Sequence, residues 1–220
     1  MKPDHSDSPT LTLVFGGTFD PPHRAHVALP GIVAATLGAD RILYIPAAVS
    51  PLKRDTLPTG ANHRLAMLRL ALESVPMATI STMELNRPGP SFTIDTLREL
   101  HRIAGPNEVF RLLIGADQAL DFHRWREWQH IIELAEPVVM LRSPFDRNLF
   151  RAALNERYPP EEVATWMERT MDVPSIDISS TDIRQRFSRG EPNSDALNPA
   201  VEDYIRRQGL YGANTRPTAS

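Results

Sequence analysis

The sequence predicts an α/β fold built on a doubly wound parallel sheet, and three observations carry that expectation. Short apolar runs near residues 11–15, 41–46, 77–83, 109–114 and 137–141 alternate with longer segments of helical periodicity. Strands that alternate with helices imply right-handed crossovers and parallel pairing. The first run passes through a glycine pair directly into a helical pattern, which places an anion site beyond the carboxyl end of the first strand. About five or six strands are expected, followed from about residue 143 by a small, mainly helical part.

The first strand, LTLVF, leads into FGGTFDPPHRAH and a helix from about Arg24 to Leu37, with Ala25, Leu29, Ile32, Val33 and Leu37 on one side. Pro30 falls inside that helix, and the hydrogen bond it cannot make predicts a kink. RILYIP is the second strand and AAVSPLKRDTLPTG a loop. Asn62 suits the N-cap of a helix reaching about Ser74, with Leu65, Leu68 and Leu72 buried. After the third strand, RPGP marks a loop, and Ser91 opens a helix whose Ile94, Leu97, Leu100 and Ile103 face inward. The fourth and fifth strands, VFRLLI and PVVML, bracket a short turn and a helix. Beyond Leu141 helices are expected near 146–156, 160–170 and 198–208. Another begins at Ser179 or Ser180, with Asp182 reaching back to the cap.

At 220 residues the chain can bury a substantial core, so one domain over 11–212 is expected between mobile ends at 1–10 and 213–220. It contains no cysteine, which removes disulfides and thiolate chemistry and fits the cytoplasm. No run approaches the roughly eighteen apolar residues of a membrane span, and MKPDHSDSPT does not read as a signal peptide. A net charge of −3 leaves no electrostatic footprint for nucleic acid, so an anionic ligand must be met locally.

Gly16 and Gly17 let backbone approach a ligand, and the amides around Gly17, Thr18 and Phe19 precede a helix N-terminus whose dipole favours anions. His23 and His26 lie three residues apart and share a helix face. They suit phosphate contact, a surface pair or a zinc site; the zinc reading lacks a glutamate and a nearby third ligand. ISSTDIRQR, at 178–186, brings a second helix N-terminus followed by Arg184. Asp117, after the fourth strand, suits either a ribose diol or a helix cap. Trp125 suits stacking or core packing, and Lys53 a phosphate contact or a solvated charge pair with Arg54.

Together these residues resemble the Rossmann-like nucleotidylyltransferases, whose signatures are a G-x-F-[DN]-P-x-H-x-x-H turn and an I-S-x-T-x-x-R helix start. The loop at 46–53, HRLAML, PSFTIDTL, GADQALDFHRW and YIRRQGLYG extend the resemblance over most of 11–212, to the bacterial nicotinate-nucleotide adenylyltransferases. Two positions depart from the pattern: Ala25 replaces the glycine before the second histidine, and Leu52 replaces the histidine of a P-P-H-K loop.

The resemblance implies adenylyl transfer from ATP to nicotinate mononucleotide, a step of NAD biosynthesis. His23, His26 and Arg184 would be catalytic. Gly16, Gly17, Thr18, Phe19, Lys53, Ser179 and Thr181 would meet ATP phosphates, Gly115 and Asp117 a ribose, and Ser91, Thr93 and Trp125 the pyridine nucleotide. Mg²⁺ would be held by substrate phosphates and water rather than by a protein cage. Neither nucleic acid nor membrane is an expected partner, and homo-oligomerisation is left open. The alternatives are nicotinamide mononucleotide as acceptor, or a nucleotide-binding module without catalysis.

Overall fold

The computed structural model describes residues 9–48 and 58–213. Six parallel strands form one sheet in the order β3-β2-β1-β4-β5-β6. They are β1 (Thr10–Gly17), β2 (Arg41–Pro46), β3 (Ala78–Ile80), β4 (Glu108–Gly115), β5 (Glu136–Leu141) and β6 (Thr170–Asp172). The interior strands β2, β1, β4 and β5 are buried over half or more of their length, because helices cover both faces of a parallel sheet. The chain leaves β1 toward β2 on one side and returns to β4 on the other, so the strand order reverses between β1 and β4. In open α/β sheets that reversal opens a ligand crevice at the carboxyl ends.

One face carries α1 (Arg24–Leu37) and α2 (Ala61–Leu72) over Leu13, Ile42, Tyr44 and Val138. The other carries α3 (Thr93–Ile103), α4 (Ala116–Leu120), α5 (Trp128–Leu134), α6 (Arg147–Asn155) and α7 (Pro160–Glu168), with Phe110, Leu112, Phe122 and Trp166 at its centre. A third cluster joins α2 to α8 (Ser180–Ser188) and α9 (Pro199–Arg207) through Met67, Ile183, Phe187 and Val201. The helices after residue 143 therefore divide, α6 and α7 beside β5 and α8 and α9 over α2. Among the described residues no helix is long and apolar enough to cross a membrane.

Several expected boundaries and faces shift. Helix α1 continues through Pro30, which is buried, and its inner stripe is Ala25, Leu29, Pro30, Val33 and Ala34. Ile32 is turned outward, 38% exposed, because Pro30 and Ala34 take the sheet-facing positions beside it. Ile103, the last residue of α3, is 60% exposed. Asn62 is not the cap of α2: Gly60 is, and Asn62 lies within the first turn. The entry is set two residues earlier because Thr59 is held by its N–H on Asp20 and its carbonyl on Arg64. Leu65 is only half-buried, and the buried positions are Arg64, Met67, Leu68, Ala71 and Leu72. Helix α3 begins at Thr93 rather than Ser91. The third strand shrinks to three residues, and TMD, too short to show alternation, forms β6.

Candidate active site

Beyond β1 the backbone turns sharply at Phe19, whose φ of 50° lies in the left-handed region. The turn folds the Phe19 ring back beneath the strand end, 1% exposed, against Phe15 and Tyr44. A Cβ on Gly17 would stand 2.9 Å from that ring, so Gly17 makes room for Phe19; a Cβ on Gly16 would meet only the Ile45 carbonyl at 4.0 Å. Gly16 is therefore the open position of the pair.

Asp20 follows, almost buried, with one carboxylate oxygen accepting from the Thr59 N–H at 3.0 Å and the other from the Tyr211 hydroxyl at 2.5 Å. Arg64, 1% exposed, donates to the carbonyls of Thr18 at 2.8 Å and Thr59 at 2.9 Å. Burial lowers the Arg64 pKa, and the Asp20 carboxylate opposes that shift. Neither Arg64 nor Tyr211 stands out as a site residue in the sequence. The one signal is a charged residue on the apolar stripe of α2.

His23 is the N-cap of α1 and His26 its third residue. Their rings stack at 3.7 Å with an interplanar angle of 26°, and the Phe19 edge meets His26 at 5.2 Å. The His23 backbone N–H donates to His26 Nδ1 at 3.2 Å. His26 Nδ1 is thus an acceptor, and the neutral ring carries its proton on Nε2. Burial, then the guanidinium of Arg142 beyond β5, lowers the His23 pKa to about 4. Burial, then His23 and Arg142, holds His26 well below 6.5. At neutral pH the pair is uncharged and offers N–H donors rather than a cationic cluster. Arg142 carries no motif that would single it out in the sequence; only the fold brings it to the histidines. The buried His23 Nδ1 has no hydrogen-bond partner among the described residues.

A depressed histidine pKa also sets a stability profile. Between about pH 4 and 6.5 the unfolded chain binds the His23 proton and the folded chain does not, so stability rises with pH across that window. The contribution is complete above the unfolded value and is lost as pH falls through the folded one. Urea titrations of wild type and His23→Gln at pH 7 and pH 4.5 are expected to differ by a pH-dependent loss on the order of 2 kcal/mol, larger in wild type. Equal losses would show that His23 does not titrate with folding.

The opposing half of the site is the N-terminus of α8. Ser179 is its N-cap: its hydroxyl accepts from the Asp182 N–H at 3.1 Å and donates to the Asp182 carboxylate at 2.7 Å. The Ser180 hydroxyl donates to the Pro21 carbonyl at 2.9 Å. Arg184 donates to the Asp20 carbonyl at 2.7 Å and to the Thr181 hydroxyl at 3.3 Å. These bonds lock α8 against the 20–22 turn, so His23, His26, Thr181 and Arg184 share one region. Ser179 is committed to the cap, whereas Thr181 is exposed.

Across the crevice, Gly115 is the N-cap of α4, and its N–H donates to Gln118 at 3.0 Å. Asp117 is the second residue of that helix and exposed, so it is not the cap. Its carboxylate folds back to within 2.6 Å of where a Gly115 Cβ would stand. Trp125 is half-buried, stacked at 5.0 Å and 29° on the buried Phe122. Its neighbour Arg126 lies over the Phe92 ring at 5.1 Å, which ties the Trp125 segment to the start of α3, with Ser91 buried and Thr93 the first helical residue. Lys53 lies outside the described residues. Among the described residues no group of three or more His, Cys, Asp or Glu side chains could hold a metal ion. Asp20 is already engaged by Thr59 and Tyr211.

The cytidylyltransferase-like family profile matches residues 14–186. The chain is 42% identical over 200 residues to a Roseiflexus sp. (strain RS-1) protein named "Probable nicotinate-nucleotide adenylyltransferase", covering 90% of this chain and 96% of that one. It is 34% identical over 218 residues to a Yersinia enterocolitica protein of the same name, covering 95% and 99%. In fold it is similar to the Plasmodium falciparum nicotinic acid mononucleotide adenylyltransferase complexed with APC, with a TM-score of 0.72 and 17% identity over 94% of this chain and all of that one. With the strand order, the two helix N-termini and these relatives in agreement, the chain belongs to the nicotinate-nucleotide adenylyltransferases of the cytidylyltransferase-like family.

Proposed function

We propose that the protein transfers the adenylyl group of ATP to nicotinate mononucleotide, giving nicotinate adenine dinucleotide and pyrophosphate, a step of NAD biosynthesis. The observation that carries the reading is the junction at Asp20: its carbonyl is held by Arg184, and the turn it belongs to ends at the stacked histidines. The relatives' names support the acceptor.

A phosphate monoester, with a second pKa near 6, is already mostly ionised at neutral pH, so the reaction needs no general base. Its oxygen attacks the α-phosphorus of ATP, the bond to the bridging oxygen breaks, and the electron pair leaves on pyrophosphate. The protein's task is to align two polyanions and stabilise the growing charge. The His26 Nε2–H and the His23 ring donate to triphosphate oxygens without adding a proton of their own, and Arg184 and Thr181 hold the same group from α8. Asp117 meets a ribose diol, and Trp125, backed by Phe122, offers a face to the pyridine ring. Mg²⁺, when bound with ATP, neutralises charge on the phosphate oxygens.

Pyrophosphate release measured with ATP, Mg²⁺ and each mononucleotide in turn tests the reading. Release with the acid form and at least about tenfold less with the amide is expected, a gap of ~1.4 kcal/mol. Equal release would move the assignment to the amide as an acceptor of equal rank, and release with neither would leave a nucleotide-binding module.

A further inference from the structure

In α1 the carbonyl of residue 26 should accept from the amide four residues on, but that residue is Pro30, which has no N–H. The carbonyl released by the proline belongs to His26, the residue whose imidazole faces the triphosphate. It is claimed from outside the helix: the Tyr44 hydroxyl, on β2, donates to the His26 carbonyl at 3.0 Å. Tyr44 is fully buried, its ring 5.7 Å from Phe15 and 5.9 Å from Phe19, and a buried tyrosine hydroxyl requires such a partner. Phe19 also meets the His26 ring edge-on. One aromatic cluster thus holds the His26 side chain through Phe19 and its backbone through Tyr44.

We propose that Tyr44 is a positioning residue for His26, made necessary by Pro30: its hydroxyl replaces the missing helical amide and keeps the His26 peptide plane, and with it the imidazole, in register with the turn that receives the triphosphate. The proposal rests on the adenylyl-transfer reading for its kinetic consequence and on geometry alone for its structural one. Without the hydroxyl, the carbonyl loses the donor that replaces the missing amide, and the first turn of α1 tilts toward another donor. Restoring the amide at position 30 supplies the bond from within the helix, since a carbonyl has two lone pairs and tolerates either donor or both.

The test is a double-mutant cycle of Tyr44→Phe and Pro30→Ala, run below the thermal midpoint of every variant. Tyr44→Phe is expected to lower kcat by about tenfold with KM for ATP unchanged. Pro30→Ala alone keeps kcat within about twofold of wild type, and the double variant recovers to the same range. In parallel, the His26 ring proton resonances, assigned by their loss in His26→Gln, shift in Tyr44→Phe and return in the double variant. Those of His101, hydrogen-bonded to the Leu134 carbonyl on the other face, stay fixed. A Tyr44→Phe enzyme with wild-type kcat and unmoved His26 resonances overturns the proposal, and so does a double variant as defective as Tyr44→Phe. If the wild-type protein releases no pyrophosphate, the functional reading fails and the resonances alone decide the positioning.

Discussion

Replacing His26 by alanine is expected to lower kcat by about 10²- to 10³-fold while KM for ATP changes by less than about threefold, the signature of a donor used mainly in the transition state. On the proposed role, the asymmetry follows from the charge and packing of the ring. The His26 ring is uncharged, so it adds little long-range attraction to the ground-state polyanion. Its Nε2–H is pre-aimed, because Nδ1 is occupied by the His23 amide and the ring is packed between His23 and Phe19. A fixed donor strengthens as charge grows on the departing pyrophosphate, and water in the space left by alanine must reorganise to do the same. Steady-state kinetics at saturating nicotinate mononucleotide check the result. A variant with wild-type kcat would remove His26 from the leaving group.

Arg184→Lys is expected to lower kcat/KM for ATP by about 10²-fold, with KM rising as well as kcat falling, since the proposed role has this residue meeting the triphosphate in ground and transition states alike. The guanidinium bridges the Asp20 carbonyl and Thr181 with two nitrogens and still has N–H groups for phosphate. A lysine ammonium is a point charge that can hold the carbonyl or the phosphate, but not the planar pattern that spans them. The fold should survive, since α8 stays anchored by the Ser180 bond to Pro21 and by buried Ile183 and Phe187. A chemical denaturation midpoint close to wild type alongside the kinetic loss is therefore part of the expectation. Wild-type turnover in the lysine enzyme would end the case for the fork.

Much of the architecture was legible because it is written in local chemistry. The bounds of α1 and of β2 follow from periodicity and punctuation alone, and the Ser179 cap from its own neighbours. Ile32 and Ile103 depart from the periodic pattern because apolarity does not decide which side of a helix the sheet will take. Asn62 has the chemistry of a cap but lies inside α2, because contacts from Asp20 and Arg64 to Thr59, distant in sequence or across the turn, set the helix entry at Gly60.

The fold class follows from the alternation of strand and helix patterns, and the two helix N-termini suited to anions from interactions within a few residues. How those parts meet depends on contacts between residues far apart in the chain. Arg184 reaches the Asp20 carbonyl across 164 residues of chain and Tyr211 its carboxylate across 191. Arg64 becomes a buried brace, Arg142 comes within electrostatic reach of the histidines, and burial holds both imidazole pKa values below 6.5. The physical reason is that desolvation and long-range hydrogen bonds depend on everything packed around a group, and spacing along the chain does not encode that.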